Sequence, residues 1–258
     1  SEGLSPISSM KLKKLRTILS TGSTLTEDNF DYIYDEIKNN VQVSSISGGT
    51  DIISCFALGN PMLDVVSGEL QCIGLGMDVA SFNANGDSIK NKRGELVCRK
   101  PFPSMPIYFW DDLNEEKYFK SYFNKYKNVW THGDFIEIND RGGAIIYGRS
   151  DATLNPGGIR IGTSEIYSAI DELDFLEDSI AVNSLKEDSY ILFVKLNPKL
   201  NMSDDFISKI KNSIKKNLSP KHLPANIFNV SDIPYTINGK KVEIAIKNIV
   251  NGELIENL

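Results

Sequence analysis

The apolar pattern changes character twice along this chain, near residue 53 and near residue 150, and no single packing scheme serves all three textures. Residues 15–21, LRTILST, read as a short buried strand stopped by Gly22. Helical spacing follows at Phe30, Ile33, Tyr34 and Ile37, with Thr26 placed to cap the helix and acids in its first turn. Residues 41–47, VQVSSIS, alternate like a strand and run into Gly48 and Gly49. Strand, helix, strand is a crossover unit of an α/β sheet. Two strands do not make a stable sheet. This piece is therefore expected to need partners that the chain does not contain, and the exposed sheet of residues 1–50 to be its least stable part and able to associate with another copy.

From 53 to 150 the runs shorten. GELQCIGL, DVASFN, GELVCRK, FIEIN and AIIYG are strand-like and separated by NANGD, KNKRG and NDRGG, which are turn chemistry. This predicts a small β-domain, a distorted barrel or sandwich, interrupted by an amphipathic helix over 113–126 with Asn114 near its start. Residues 151–258 read as a small α+β domain. Its helices are SEIYSAIDEL, with Ser164 as cap, and SDDFISKIKNSIKKNL, with Ser203 as cap. Its strands are DSIAVNSL, YILFVKL and ANIFNV, and KVEIAIKNIV is a last helix or strand. The expected organisation is thus an α/β piece (1–52) and a β-barrel-like subdomain (53–150) in one domain, with an α+β domain (151–258) after it.

Composition excludes several functions. A net charge of −6 is a poor basis for nucleic-acid binding. Cys55, Cys72 and Cys98 are odd in number and lack C-x-x-C spacing, which argues against a disulfide framework or a zinc site and for a reducing, cytoplasmic setting. Two distant histidines, His132 and His222, support no metal cluster or nucleophilic triad. No run approaches the ~20 apolar residues of a membrane span. The start, SEGLSPISS, lacks the basic and apolar regions of a signal peptide and has no initiator Met, as expected for a piece of a longer protein.

Four segments carry candidate chemistry. In SSISGGTD, residues 44–51, a strand ends in two glycines, a hydroxyl and a carboxylate. Glycine lets backbone approach an anion, Thr50 can donate to phosphate and Asp51 can hold a divalent cation. The same residues could equally form a plain turn with an Asx cap. STGST, residues 20–24, is a backbone edge for a ring or a strand-to-helix turn. Asp134, in WTHGDFIEINDRGG, is suited to two ribose hydroxyls or to a β-turn. Lys240, in YTINGKK, is not a Walker lysine, because Pro234 stands where that loop needs Gly and Lys241 where it needs Ser or Thr.

Singly these signals are weak; their order is specific. Gly-Gly-Thr-Asp, then Trp-Thr-His-Gly-Asp, then GRSDATLNPGGIRIGTSEIY, then Thr-Ile-Asn-Gly-Lys resembles the adenylate-forming enzymes, in their acetyl-CoA and acetoacetyl-CoA synthetase branch. The resemblance runs from about residue 15 to 250. It implies a ligase of lipid metabolism that activates a short-chain acid such as acetoacetate with ATP and Mg²⁺ as an acyl-adenylate. CoA then takes the acyl group, and AMP and pyrophosphate are released. It implies that Thr50 touches the α-phosphate and that Asp51, where the family more often has Glu, serves Mg²⁺. Gly22, Ser23 and Thr24 would line adenine beside Gly48 and Gly49. Asp134 would bind ribose with Arg149 alongside, and Arg160 would approach phosphate. Lys240 would serve adenylation. Asp151 would be the hinge of a mobile C-terminal lid, and Gly157 and Gly158 would border CoA.

Gly48 or Gly49 stands where acetyl-CoA synthetases close the acyl pocket with Trp, which implies room for more than two carbons. Glu243 replaces an Arg the family often has, and no role is carried over to it. The family's Ser/Thr/Gly-rich phosphate loop is absent from the sequence. The expectation is therefore a C-terminal fragment that is inactive alone. A carrier-protein-loading enzyme of the same family, or a non-catalytic nucleotide-binding or interaction module, are the alternatives.

Overall fold

A computed structural model describes residues 4–150, 154, 156, 161–187, 189–237 and 239–253. The chain divides into two compact units, Ser1–Tyr147 and Gly148–Leu258.

The first unit begins with a short helix α1 (Pro6–Ser9), strand β1 (Thr17–Ser20), helix α2 (Glu27–Tyr32) and strand β2 (Gln42–Ser45). β1 and β2 pair in parallel, from Thr17 opposite Gln42 to Ser20 opposite Ser45. The helical crossover is what allows two parallel neighbours to follow each other in sequence. Phe30 and Ile33 pack against Val41 and Val43, which is the apolar periodicity seen in the sequence. Thr26 does not cap α2 through its side chain; its hydroxyl instead accepts from Asn29 Nδ2 at 2.6 Å. α2 ends in a π-helical turn, Ile33–Ile37.

β3 (Ser47–Gly49), β4 (Ser54–Leu58) and β5 (Cys72–Ile73) form an antiparallel sheet. β6 (Val79–Phe82), β7 (Ser88–Ile89), β8 (Gly94–Cys98), helix α3 (Glu116–Tyr122), β9 (Trp130–Ile138) and β10 (Ala144–Arg149) follow. The second sheet has the order β10-β9-β8-β6-β7. The expected β-barrel is not found: among the described residues both sheets are open. β7 is two residues long and pairs only with β6. Beyond β10 there is one isolated bridge, Leu70 to Ala144. Closure needs a continuous staggered ladder around the ring, and neither edge supplies one. The core lies between the sheets and α3, with Phe56, Phe102, Tyr118 and Trp130 in edge-to-face and tilted ring contacts. Burying each such ring stabilises by roughly 1.5–3 kcal/mol.

The second unit runs α4 (Thr163–Ile170), β11 (Leu176–Ser184), β12 (Ser189–Leu196), α5 (Asp204–Asn217), a 3₁₀ turn (Pro220–His222), β13 (Asn226–Asn229) and α6 (Glu243–Asn251). β12 is central, antiparallel to β11 and parallel to β13. Ile166, Ala169, Ile210 and Ile214 of α4 and α5 pack with Leu192 and Val194. Ile246 and Val250 of α6 pack with Ile180 and Val182. Burial on both faces explains why YILFVKL is a nearly continuous apolar run rather than an alternating one. Ser203 Oγ accepts from Phe206 N at 3.3 Å, with Asp204 and Asp205 in the first turn and Lys215 and Lys216 in the last. Ser164 is not the cap of α4. That position is Gly162, whose N–H donates to Glu165 Oε1 at 3.0 Å. Glycine is accepted at an N-cap, and the glutamate three residues on supplies the reciprocal bond. No helix among the described residues is long and apolar enough to cross a membrane.

Candidate active site

The parallel pair sets the location. In α/β sheets, ligand-binding segments collect beyond the carboxyl ends of parallel strands. Gly22–Thr24 leave the end of β1, and Ser47–Asp51 leave the end of β2. Thr21 Oγ1 donates to Ile46 O at 3.1 Å and ties the two exits together. Gly22 has φ +95 with nothing near a would-be Cβ, so its glycine is demanded by backbone angle rather than by space. Ser23 is exposed, and half-buried Thr24 donates to Ile146 O at 3.4 Å.

Gly48 and Gly49 have a different cause. A Cβ on Gly48 would lie 2.1 Å from Ser54 O, and one on Gly49 would lie 2.8 Å from His132 Cε1. The packing of β4 and of a buried imidazole therefore requires both glycines before any ligand is considered. Thr50 and Asp51 follow on an exposed turn closed by Ile53 N donating to Thr50 O at 3.1 Å. Ile53 is held at φ +47, a left-handed conformation that costs a branched residue roughly 1–2 kcal/mol.

Tyr122 and His132 join these pieces. Tyr122, in the last turn of α3, donates its hydroxyl to Asp51 Oδ2. Its ring stacks on Trp130 at 3.6 Å and 13°. His132 Nε2 lies 3.2 Å from Gly48 O and 3.5 Å from Asp134 Oδ2, and its ring meets Phe56 edge-on at 4.8 Å. Asp134 lies inside β9, at an irregularity. β9 runs from Thr131 to Phe135 where β8 runs only from Val97 to Glu95, and Gly133 takes φ +81. Such a bulge re-aims a side chain out of strict alternation. The structure thus links Gly48, Gly49 and Asp134 through His132, and Asp51 through Tyr122. Reading the sequence finds neither linker as a site residue.

In the second unit, Lys240 closes a tight turn. Thr236 N donates to Lys240 O at 2.8 Å, Gly239 N to Thr236 O at 2.8 Å, and Lys240 N to Thr236 Oγ1 at 3.1 Å. Gly239 has φ +75. The Lys240 side chain is exposed. Glu243, in the first turn of α6, accepts from the Tyr167 hydroxyl. Arg149 is exposed at the end of β10. Asp151, Gly157, Gly158 and Arg160 lie outside the described residues.

The cysteines are free thiols, and burial pushes the Cys55 and Cys98 thiols up, away from the reactive thiolate form. Among the described residues, no group of three His, Cys, Asp or Glu side chains could by itself hold a metal ion. What the first unit offers is an exposed Thr-Asp turn at the end of a parallel strand and, next to its glycines, a buried His132 paired with a half-buried Asp134. What the second offers is a projecting lysine.

No family model matches the chain. Its fold and sequence place it among the adenylate-forming enzymes. A solved structure of acetoacetyl-CoA synthetase from Streptomyces lividans superposes over 96% of this chain and 38% of its own, with a TM-score of 0.87 and 40% identity. The anthranilate CoA ligase AuaEII, at 20% identity and a TM-score of 0.75, shares the fold. Within that class the sequence relatives are acetoacetyl-CoA synthetases. The one from Rhizobium meliloti is 46% identical over 99% of this chain, and the one from Danio rerio 47% over 96%. The chain corresponds to the C-terminal part of these proteins and spans 40% and 37% of their lengths.

Proposed function

We propose that this chain carries nucleotide-handling residues and the adenylation lysine of an AMP-forming acid–CoA ligase that acts on acetoacetate. One observation carries the reading. Gly22–Thr24 and Gly48–Asp51 leave the same ends of two parallel strands whose exits Thr21 ties together, and His132 ties Gly48 to Asp134. That supports assigning adenine, phosphate and ribose to these segments. Asp134 takes the ribose hydroxyls, and Arg149 is assigned to the nucleotide as a cation. Thr50 donates to the α-phosphate. Lys240 supplies a compact mobile charge where the acid's carboxylate attacks the α-phosphorus and pyrophosphate leaves. The CoA thiol then attacks the acyl carbon and AMP leaves. Asp151 as pivot, Gly157 and Gly158 beside CoA, and Arg160 on the phosphate complete the reading from outside the described residues.

Asp51 suits Mg²⁺. One carboxylate oxygen takes the Tyr122 hydroxyl and the side chain is otherwise exposed. Mg²⁺ characteristically uses one or two carboxylates together with substrate phosphates. Bound there, it would neutralise phosphate charge. Gly48 or Gly49, standing where acetyl-CoA synthetases close the acyl pocket with Trp, fits an acid of four carbons. A non-catalytic or carrier-loading protein is the competing class.

The test joins this chain to the preceding part of the Rhizobium meliloti relative and assays each half-reaction. Acetoacetate-dependent exchange of pyrophosphate into ATP, and acetoacetyl-CoA formation, are expected. Lys240→Ala should slow adenylation by ~10²–10³, the scale of one lost stabilising donor. It should spare thioester formation from supplied acetoacetyl-adenylate. Equal loss of both half-reactions would overturn the role of Lys240. Transfer to a carrier protein but not to CoA would select the competing enzyme. The chain alone is expected to give no CoA-dependent AMP.

A further inference from the structure

The turn that presents Lys240 is closed by its own hydrogen bonds but packs against almost nothing. Ile237 is fully exposed, and apart from its chain neighbours no described residue comes within 4 Å of a would-be Cβ on Gly239. Its two stems are gripped instead. Tyr235 and Lys241 form an isolated antiparallel bridge, and both reach one carboxylate on β11. Lys241 Nζ lies 2.7 Å from Asp178 Oδ1, donates to Ser179 O, and sits 4.1 Å from the centroid of the Tyr167 ring. Tyr235 donates its hydroxyl to Asp178 Oδ2 at 2.6 Å. Asp178 Oδ1 also takes Ser179 N at 2.7 Å. The Tyr167 hydroxyl accepts from Ala181 N at 3.1 Å and donates to Glu243 at the start of α6. Asp178 stands at a register shift in β11, between the pairings of Leu176 and Asp178, and such irregularities turn a side chain out of strict alternation.

We propose that Asp178, Tyr235 and Lys241 are positioning residues for Lys240, with Asp178 clamping both stems of its turn so that the Lys240 ammonium is delivered along one path. The proposal rests on the adenylation role of Lys240 given above. Both oxygens of Asp178 are engaged, and Lys241 directs its ammonium at a carboxylate, a carbonyl and a ring face. A partly buried charge pair with its hydrogen bonds satisfied fixes geometry more than it adds stability. Lys241 is therefore not a spare copy of Lys240. The two neighbouring lysines divide into one that is held and one that projects.

The test uses the same joined protein. Asp178→Asn and Lys241→Met should each slow pyrophosphate exchange by ~10–10²-fold, the scale of a 1 Å misplacement. Thioester formation from supplied acetoacetyl-adenylate should stay within about twofold. Tyr235→Phe, which keeps the charge pair, should show a smaller loss in the same half-reaction. Lys241→Arg should restore most of the loss, because a guanidinium can keep the carboxylate contact. In the 258-residue chain itself, Asp178→Asn should speed hydrogen exchange at Gly239 and Lys240 while α5 stays protected. Wild-type exchange and adenylation in Asp178→Asn would overturn the proposal. So would equal loss of both half-reactions together with a lowered melting midpoint. Lys240→Ala separates the layers. If it leaves adenylation intact, the role of Lys240 fails and the clamp with it; if it abolishes adenylation while Asp178→Asn does not, only the clamp fails.

Discussion

At the scale of single residues, two kinds of glycine neighbour the candidate residues in sequence. Gly22 and Gly239 are required by their positive φ and have open space around them. Gly48 and Gly49 are required by neighbours, Ser54 O and the His132 ring. Gly49→Ala should therefore do two things. It should destabilise the first unit by about 1–3 kcal/mol, the usual result of forcing a methyl into a filled space. It should also push His132 off Gly48 O and weaken its hold beside Asp134. Urea unfolding of the chain and the KM for ATP in the joined protein check the two effects separately. An unchanged KM with lowered stability would leave His132 as packing alone. The motif residues Thr50, Asp51, Asp134 and Lys240 are legible as local sequence. Tyr122, His132 and Asp178 are not. Tyr122 meets Asp51 across 71 positions and His132 meets Gly48 across 84, and no local pattern encodes such a meeting.

At the scale of elements, the strand–helix–strand opening is legible because a parallel pair needs a crossover and its apolar residues repeat at helical spacing. The β region is less so. Its strands are short, β9 bulges at Gly133, and the openness of the sheets depends on pairings that turns do not specify. Helix α3 shows a boundary error with a physical source. It starts at Glu116, later than the amphipathic pattern implies, because Glu115 sits at φ +58. Its free N–H groups are met from outside: Asp112 accepts from Lys117 N at 3.1 Å and Tyr118 N at 2.8 Å. Asp112→Ala should cost about 1 kcal/mol, as lost caps do. Because α3 carries Tyr122, it should also raise the Mg²⁺ needed for half-maximal adenylation, which a Mg²⁺ titration of pyrophosphate exchange would measure. An unaltered Mg²⁺ requirement would separate Tyr122 from Asp51 functionally.

At the scale of the molecule, the second unit has its own response to pH. Burial pushes the Asp178 carboxyl up, but its bonds from Lys241 and Tyr235 outweigh this and leave it below the ordinary carboxylate value. A lowered folded pKa gives stability that is present above the unfolded pKa near 4 and lost as pH falls through the folded one. The Tyr235 hydroxyl is raised by burial and by Asp178. Its contribution is present below about pH 10 and lost above it. Asp178→Asn should flatten the acid arm of this unit's stability, and Tyr235→Phe part of its alkaline arm. Urea midpoints followed through a probe in residues 161–253 from pH 2 to 11 would read both, and parallel curves for wild type and variants would contradict the assignment.

The two cores are also separate along the chain. Ile52 through Ala144 build one, and Leu154 through Leu223 with Ile227 build another. Among the described residues, neither cluster draws a member from the other's stretch of chain. During synthesis the first unit can collapse while the ribosome is still translating the second, so its aromatic core need not remain exposed until translation ends. At about 5–20 residues per second, that shortens by several seconds the time in which unfinished surface is open to aggregation.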